Sequence, residues 1–384
     1  MPLGCPQLSG SQPYLGDTIM KHRLLHSSQS ILGLLVAAIA LIGSPCSHTA
    51  PLAAVEHSQV TIWSEGVRLA GDMFKPGGTA PGAELPGLLL VHGWGGSKQN
   101  LNRAYAPQFA SLGFVVLTFD YKSWGESNGP LFVAEALPHT EEPSAVTVKA
   151  EHMRRIINPR SVAEDARAAL NYLAGEPGVQ SDNLGIWGTS LGGGVALVTA
   201  ARDRRIKAYV SQVGAVNPRA NLQMISDDMV TRWEIQRARG DIASYPGAES
   251  VINPTLKGYP DWIYLKRFDS FAYAEQLEAA TLIIDAEDEE LFVREVNGAL
   301  LHHTIKDRVA SKYVVIPGKH YDIYRGEPYK QALAQAQDWF VTHLKGANEG
   351  VPRAGAQDNA GPAIGRGQMA VDSGHRLPLL KNPG

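Results

Sequence analysis

GLLLVHGW, residues 87–94, and FVVLTFDY, residues 114–121, are apolar at almost every position and end in polar side chains. A strand with one wet face alternates, whereas a strand that is apolar on both sides must be covered on both, as in a parallel sheet packed between helices. From about Val55 to Leu344 the pattern agrees. NLGIWG (183–188), RIKAYVSQV (205–213), ATLIIDA (280–286) and KYVVIP (312–317) read as further strands, with helical runs between and after them. In SVAEDARAALNYLAGEPG (161–178), Ser161 with Glu164 reads as a capping box. Val162, Ala166, Ala169, Leu170 and Leu173 share one face, and Gly175 and Pro177 stop the helix. In YKQALAQAQDWFVTHL (329–344), Tyr329, Leu333, Ala336, Phe340 and Leu344 fall on one face. QVTIWSEGVRLAGDMF (59–74) holds two alternating runs about Glu65 and Gly66, the signal of an antiparallel hairpin at an edge. The fold class is α/β, with a mostly parallel central sheet and helices on both faces.

Two stretches interrupt the alternation, 126–160 and about 215–275. The second carries Trp233, Tyr245, Tyr259, Trp262, Tyr264, Phe268 and Phe271 among polar residues, too aromatic for a linker, and is predicted to be an inserted lid or cap over the strand ends. Residues 1–54 read as a leader. Lys21, His22 and Arg23 precede the apolar ILGLLVAAIALIG (31–43) and then small and turn residues, the layout of a signal peptide, so a secreted or periplasmic location is expected. The apolar run is shorter than the roughly 20 residues of a spanning helix, so no stable membrane anchor is expected. Both cysteines, Cys5 and Cys46, lie in the leader, which leaves 55–345 without a disulfide or a thiolate metal site. Residues 346–384, rich in Gly, Ala and Pro without apolar periodicity, read as a disordered tail. The formal net charge is −3 with Lys and Arg scattered, which gives no footprint for nucleic acid.

The chemistry is written at the strand ends. GIWGTSLGGG (185–194) sets Ser190 between Gly188 and Gly192, with a strand before it and the helical LGGGVALVTAA after it. A serine presented on so tight a strand-to-helix turn needs small neighbours, and the following helix points its N-terminal amides at any negative charge formed beside it. VHGWGGS (91–97) ends a buried strand in a glycine-rich turn whose amides can approach an oxyanion. The expected oxyanion donors are the amides of Trp94 and Leu191, with His92 orienting the loop. Of the twelve histidines, His320 in KYVVIPGKHYDIYRG lies just beyond a buried strand and before the last helix, where a general base belongs. TLIIDAEDEELF (281–292) offers the acid that orients it. Glu289 fits best, Asp288 is the second candidate, and Asp285 stands too close to the strand end.

The order nucleophile, acid, histidine, with the GTSLGG elbow and the HGWGG turn, resembles the α/β-hydrolase superfamily. FDYKSWGESNGP, RSVAEDARAALNYL, RIKAYVSQVG and PGKHYDIYRG resemble its dienelactone-hydrolase-like and Xaa-Pro dipeptidyl-peptidase-like branch, over about residues 55–345. The chain departs from the family pattern at the acid loop, where Ala286 and Glu289 stand for the usual glycine and aspartate. The resemblance implies an α/β-hydrolase fold and a serine hydrolase acting on a small-molecule carboxylic ester, with no metal or organic cofactor. Two rivals remain: a peptidase or amidase with the same triad, whose anchor for a charged substrate terminus would be Asp227, Asp228 or Glu234, and a non-catalytic binding protein on the same fold.

Overall fold

The computed structural model describes residues 54–252 and 256–346. The leader and the tail lie outside the described residues but for Ala54 and Gly346. In chain order the main elements are β1 (Val55–Ser64), β2 (Val67–Pro76), β3 (Leu85–Val91), α1 (Lys98–Ala104), α2 (Ala106–Ala110), β4 (Val115–Phe119), α3 (Pro159–Ala174), β5 (Val179–Thr189), α4 (Leu191–Arg202) and β6 (Ile206–Gln212). They are followed by α5 (Pro218–Asn221), α6 (Asp227–Arg239), α7 (Trp262–Arg267), β7 (Ala280–Ala286), α8 (Gly298–Ile305), β8 (Ser311–Ile316) and α9 (Gly326–Phe340).

The eight strands form one sheet in the order β1-β2-β4-β3-β5-β6-β7-β8. β2 pairs antiparallel with β1 and β4, and every other pairing is parallel. Glu65 and Gly66 turn the edge hairpin with φ of 48° and 80°, the left-handed pair that matches strand twist. The apolar runs are central and buried on both faces. Leu89, Val91, Ile186 and Ile283 pack with residues of α3, α4 and α8, while Leu88, Leu90, Trp187 and Ile284 pack with α1, α2 and α9. Each such side chain contributes about 1.5–3 kcal/mol on leaving water, so continuity of the run is the energetic condition for this sandwich.

Two local readings are corrected. α3 begins three residues earlier than the Ser161–Glu164 box predicts. Pro159 presets the helical φ at its first position, and Asn158 is the cap, its side chain accepting from the amides of Arg160 (3.1 Å) and Ser161 (3.3 Å). Glu164 instead meets Arg167 on the helix surface. β5 also starts at Val179 rather than Asn183, because Val179 and Gln180 pair with Leu85 and Pro86 at the outer end of β3, before an irregularity at Pro86/Gly87 after which the ladder resumes at Leu184.

The two interrupting stretches meet. Ile156–Ile157 pairs in parallel with Tyr259–Pro260, joining the first stretch to the second. Trp233 and Trp262 pack against a small core of Ile225, Val230 and Ile263, which accounts for part of the aromatic content of 215–275.

Candidate active site

β3, β5, β7 and β8 all deliver their C-terminal ends to one edge of the sheet, where ligands of open α/β sheets bind. Ser190 stands between β5 and α4 with φ 52° and ψ −125°. A non-glycine residue held there costs on the order of 1–3 kcal/mol and persists only when its surroundings over-determine it. They do so here. The Ser190 amide donates to the Gln212 carbonyl (3.1 Å), and its own carbonyl accepts from Ala215 (2.8 Å) and Gly193 (2.9 Å). The flanking glycines are required sterically: a Cβ at Gly188 would strike the Gly192 carbonyl, and one at Gly192 the carbonyls of Val91 and His92.

His320 Nε2 lies 3.2 Å from Ser190 Oγ, and its Nδ1 lies 2.9 Å from both carboxylate oxygens of Glu289. The imidazole and the carboxylate are 1% and 2% exposed, so the pair is withdrawn from solvent. A carboxylate at Nδ1 fixes the proton there and leaves the Nε2 lone pair facing the serine. Glu289 is itself held by the Leu291 amide (2.9 Å), and Phe292, Tyr321 and Tyr324 surround the His320 ring. The structure thus brings Ser190, Glu289 and His320 together. Asp288 is exposed and touches the site through its backbone, its amide donating to Gly318 O. Asp285 is buried elsewhere, accepting from the Tyr313 hydroxyl (3.0 Å), and burial pushes its carboxyl up to about 7.

Trp94 and Leu191 both border the cavity that opens over Ser190. Leu191 is the first residue of α4, so its amide has no acceptor within the helix. Trp94 sits in a turn closed by the Gly96 amide on Gly93 O (3.1 Å), and Gly93 packs so closely that a Cβ there would lie 2.9 Å from that of Ser190. His92 does not reach the serine. Its Nδ1 bonds Gly93 O (2.9 Å), and its ring stacks on Tyr121, whose hydroxyl donates to the His92 carbonyl. Burial lowers the His92 pKa to about 4, against smaller raising effects of the Gly93 carbonyl and Asp120. The unfolded chain, with an ordinary histidine pKa near 6.5, therefore takes up a proton that the folded chain refuses. Stability contributed at this position is intact above about pH 6.5 and is lost as pH falls toward 4. The expected observation is a His92 ring resonance that does not titrate between pH 8 and pH 5 in an NMR titration. A midpoint near 6.5 would contradict it.

The cavity encloses about 700 Å³. Its wall from 215–275 is mainly aliphatic, with Leu222, Val251, Ile252, Leu256 and Leu265, and of the aromatic residues of that stretch Trp262 alone lines it. None of Asp227, Asp228 and Glu234 reaches it. Glu234 is paired with Arg267 (2.9 Å), Asp227 faces Arg219 (3.9 Å), and Asp228 is exposed.

The dienelactone hydrolase family model matches residues 75–231, and the prolyl oligopeptidase family model matches residues 158–347. An α/β-hydrolase from Penicillium sp. sh18 superposes with a TM-score of 0.55 at 17% identity, over 76% of this chain and 99% of that one. This chain has the α/β-hydrolase fold and is similar to the dienelactone-hydrolase-like branch. An uncharacterized 31.7 kDa protein of Escherichia coli is 24% identical to this α/β-hydrolase over 67% of its length and 91% of the relative's. The quorum-quenching protein AidA of Acinetobacter baumannii is 30% identical over 50% of this chain and 55% of its own.

Three neighbours of the site in this α/β-hydrolase are not singled out by its sequence. Glu290 accepts the backbone amide of His320 (2.9 Å), Gly93 abuts the serine, and Tyr324 bonds Thr189 (2.7 Å), the residue before it. The run Asp288–Glu289–Glu290 carried the signal for the first, but a backbone acceptor cannot be told from a solvated carboxylate by residue type.

Proposed function

We propose that this hydrolase cleaves carboxylic esters through an acyl-enzyme on Ser190. The observation that carries the reading is the unbroken line Ser190 Oγ, His320 Nε2, His320 Nδ1, Glu289 at hydrogen-bond distances, at the floor of an apolar cavity. His320 takes the serine proton as Oγ adds to the ester carbonyl, and Glu289 stabilises the imidazolium. The oxyanion is received by the amides of Trp94 and Leu191, each worth about 100- to 1000-fold in rate. Collapse expels the alcohol, which takes the proton from His320. Water, deprotonated by the same histidine, then adds to the acyl-enzyme and releases the acid and the serine. A relative of Aspergillus aculeatus, 26% identical over 50% of this chain, is a thiohydrolase, which supports acyl transfer from an activated carbonyl.

The test is incubation of the protein with a fluorophosphonate and with a panel of 4-nitrophenyl esters and an aminoacyl-prolyl anilide. The expected results are one phosphonyl adduct on the peptide carrying Ser190 and turnover of esters in preference to the anilide. Faster anilide cleavage would move the reading to a peptidase, although no carboxylate of 215–275 lines the cavity to bind a free amino terminus. No adduct and no turnover would overturn the catalytic reading.

A further inference from the structure

Leu101, Ala104 and Tyr105, at the end of helix α1, and Trp187, Thr189 and Tyr324 form part of the cavity lining beside Ser190. The polar groups here form a chain. Tyr105 packs on Trp187 with ring centres 4.5 Å apart, Gln212 Nε2 donates to the Tyr105 hydroxyl (2.9 Å), and Thr189 Oγ1 donates to the Gln212 carbonyl (3.0 Å). Because the Thr189 proton is thereby used, the Tyr324 hydroxyl is the donor in its 2.7 Å bond to Thr189.

Two members of this group are left over. Trp187 and Gln212 are completely buried, yet the indole Nε1–H and the Gln212 Oε1 have no partner among the described residues. Indole nitrogen only donates. The Tyr105 hydroxyl also keeps a proton to give. Turning the Gln212 amide over changes which of its atoms meets Tyr105 but leaves donors in excess of acceptors. A buried donor without an acceptor costs about 1–3 kcal/mol, and a fold in which nearly all such groups are satisfied keeps one beside a cavity at that cost. No ionised side chain belongs to this hydrogen-bonded group. Arg103, which borders the same cavity from α1, is exposed. A carboxylate drawn into the group would be buried without a countercharge, so a neutral acceptor fits it better.

We infer that this part of the cavity wall is a specificity subsite for a substrate chain carrying a neutral hydrogen-bond acceptor, a ketone, ether or hydroxyl oxygen, received by the Trp187 indole N–H beside Tyr105 and Gln212. The inference rests on the ester-hydrolase reading and names its substrate class.

Matched 4-nitrophenyl esters test it: straight-chain acids of four to eight carbons, each beside analogues in which one methylene is a ketone or the chain end a carboxylate. In the unaltered protein kcat/KM is expected to favour the ketone by about tenfold or more at one chain position, since a site that hydrogen-bonds its substrate rejects the analogue lacking the group. Trp187→Phe keeps the ring and removes the donor, and is expected to bring that ratio near one. Tyr105→Phe, which frees Gln212, is expected to lower it as well and serves if Trp187→Phe does not fold. A ratio near one at every position in the unaltered protein, a ratio unmoved in both variants, or a carboxylate preferred over the ketone would overturn the inference while ester turnover stands. Absence of both ester turnover and the fluorophosphonate adduct would remove the ester reading and this inference with it, a distinct result.

Discussion

With glutamine at position 289, kcat on esters is expected to fall by about four orders of magnitude with KM little changed. An isosteric amide can present its NH₂ group to Nδ1 and so stabilise the tautomer whose proton sits on Nε2, facing the serine it should accept from. Both Glu289 oxygens lie 2.9 Å from Nδ1 and the pair is nearly inaccessible, so no solvent carboxylate can stand in for it. Asp288→Asn is the control. Its side chain is exposed and holds no part of the imidazole, so kcat is expected to stay at the unaltered value. If Asp288→Asn is the variant that loses activity and Glu289→Gln is not, the assignment of the acid is wrong.

Lys98→Met is expected to carry the largest cost to stability, about 3–5 kcal/mol by urea denaturation. Lys98 and Asp72 are fully buried and meet at 2.6 Å, with Asn102 (2.7 Å) and His57 (2.8 Å) on the same carboxylate and Glu126 (2.8 Å) on the ammonium. Removing the ammonium leaves Asp72 in the interior with its principal countercharge gone. Replacing both partners together, Asp72→Leu with Lys98→Met, should recover much of the loss, because the penalty belongs to the orphaned charge and not to the absent pair. A loss under about 1 kcal/mol in the single variant would show that His57 and Asn102 suffice. The backbone of Lys98 also donates to Asp120 (2.8 Å) and directly follows the turn that carries Trp94, so the variant is expected to lower kcat in the protein that remains folded.

What was legible in the sequence is what depends on neighbours along the chain. The apolar runs specified central strands, because burial on both faces leaves no other composition. The glycines about Ser190 specified the elbow, because two backbone carbonyls occupy the space a side chain would need. Glu289 and His320 stood out by distance from strand ends. Asn158 was passed over for Ser161, since Ser161 and Glu164 satisfied a pattern that Pro159 had already made redundant two residues earlier. The acidic residues 227, 228 and 234 offered a binding role that only the position of Arg267 and Arg219 removes. Trp187 lies in a run read as a strand, and it is core. Its unmet N–H depends on Tyr105 and Gln212, 82 residues before it and 25 after it, which no local pattern records.

The short pairing of Ile156–Ile157 with Tyr259–Pro260 has a bearing on how a substrate gets in. Tyr259 donates to the Arg155 carbonyl (2.7 Å) and Asp261 to that of Ile157 (2.9 Å), while Gly258, at φ 99°, lies so close to Trp124 that a Cβ would not fit. Residues 258–261 lead straight into Trp262 and Leu265 of the cavity wall. To swing that wall outward as a flap, these bonds must break together across chain segments a hundred residues apart. That part of the wall is therefore stitched along a seam of backbone bonds and is not hung as a loose loop.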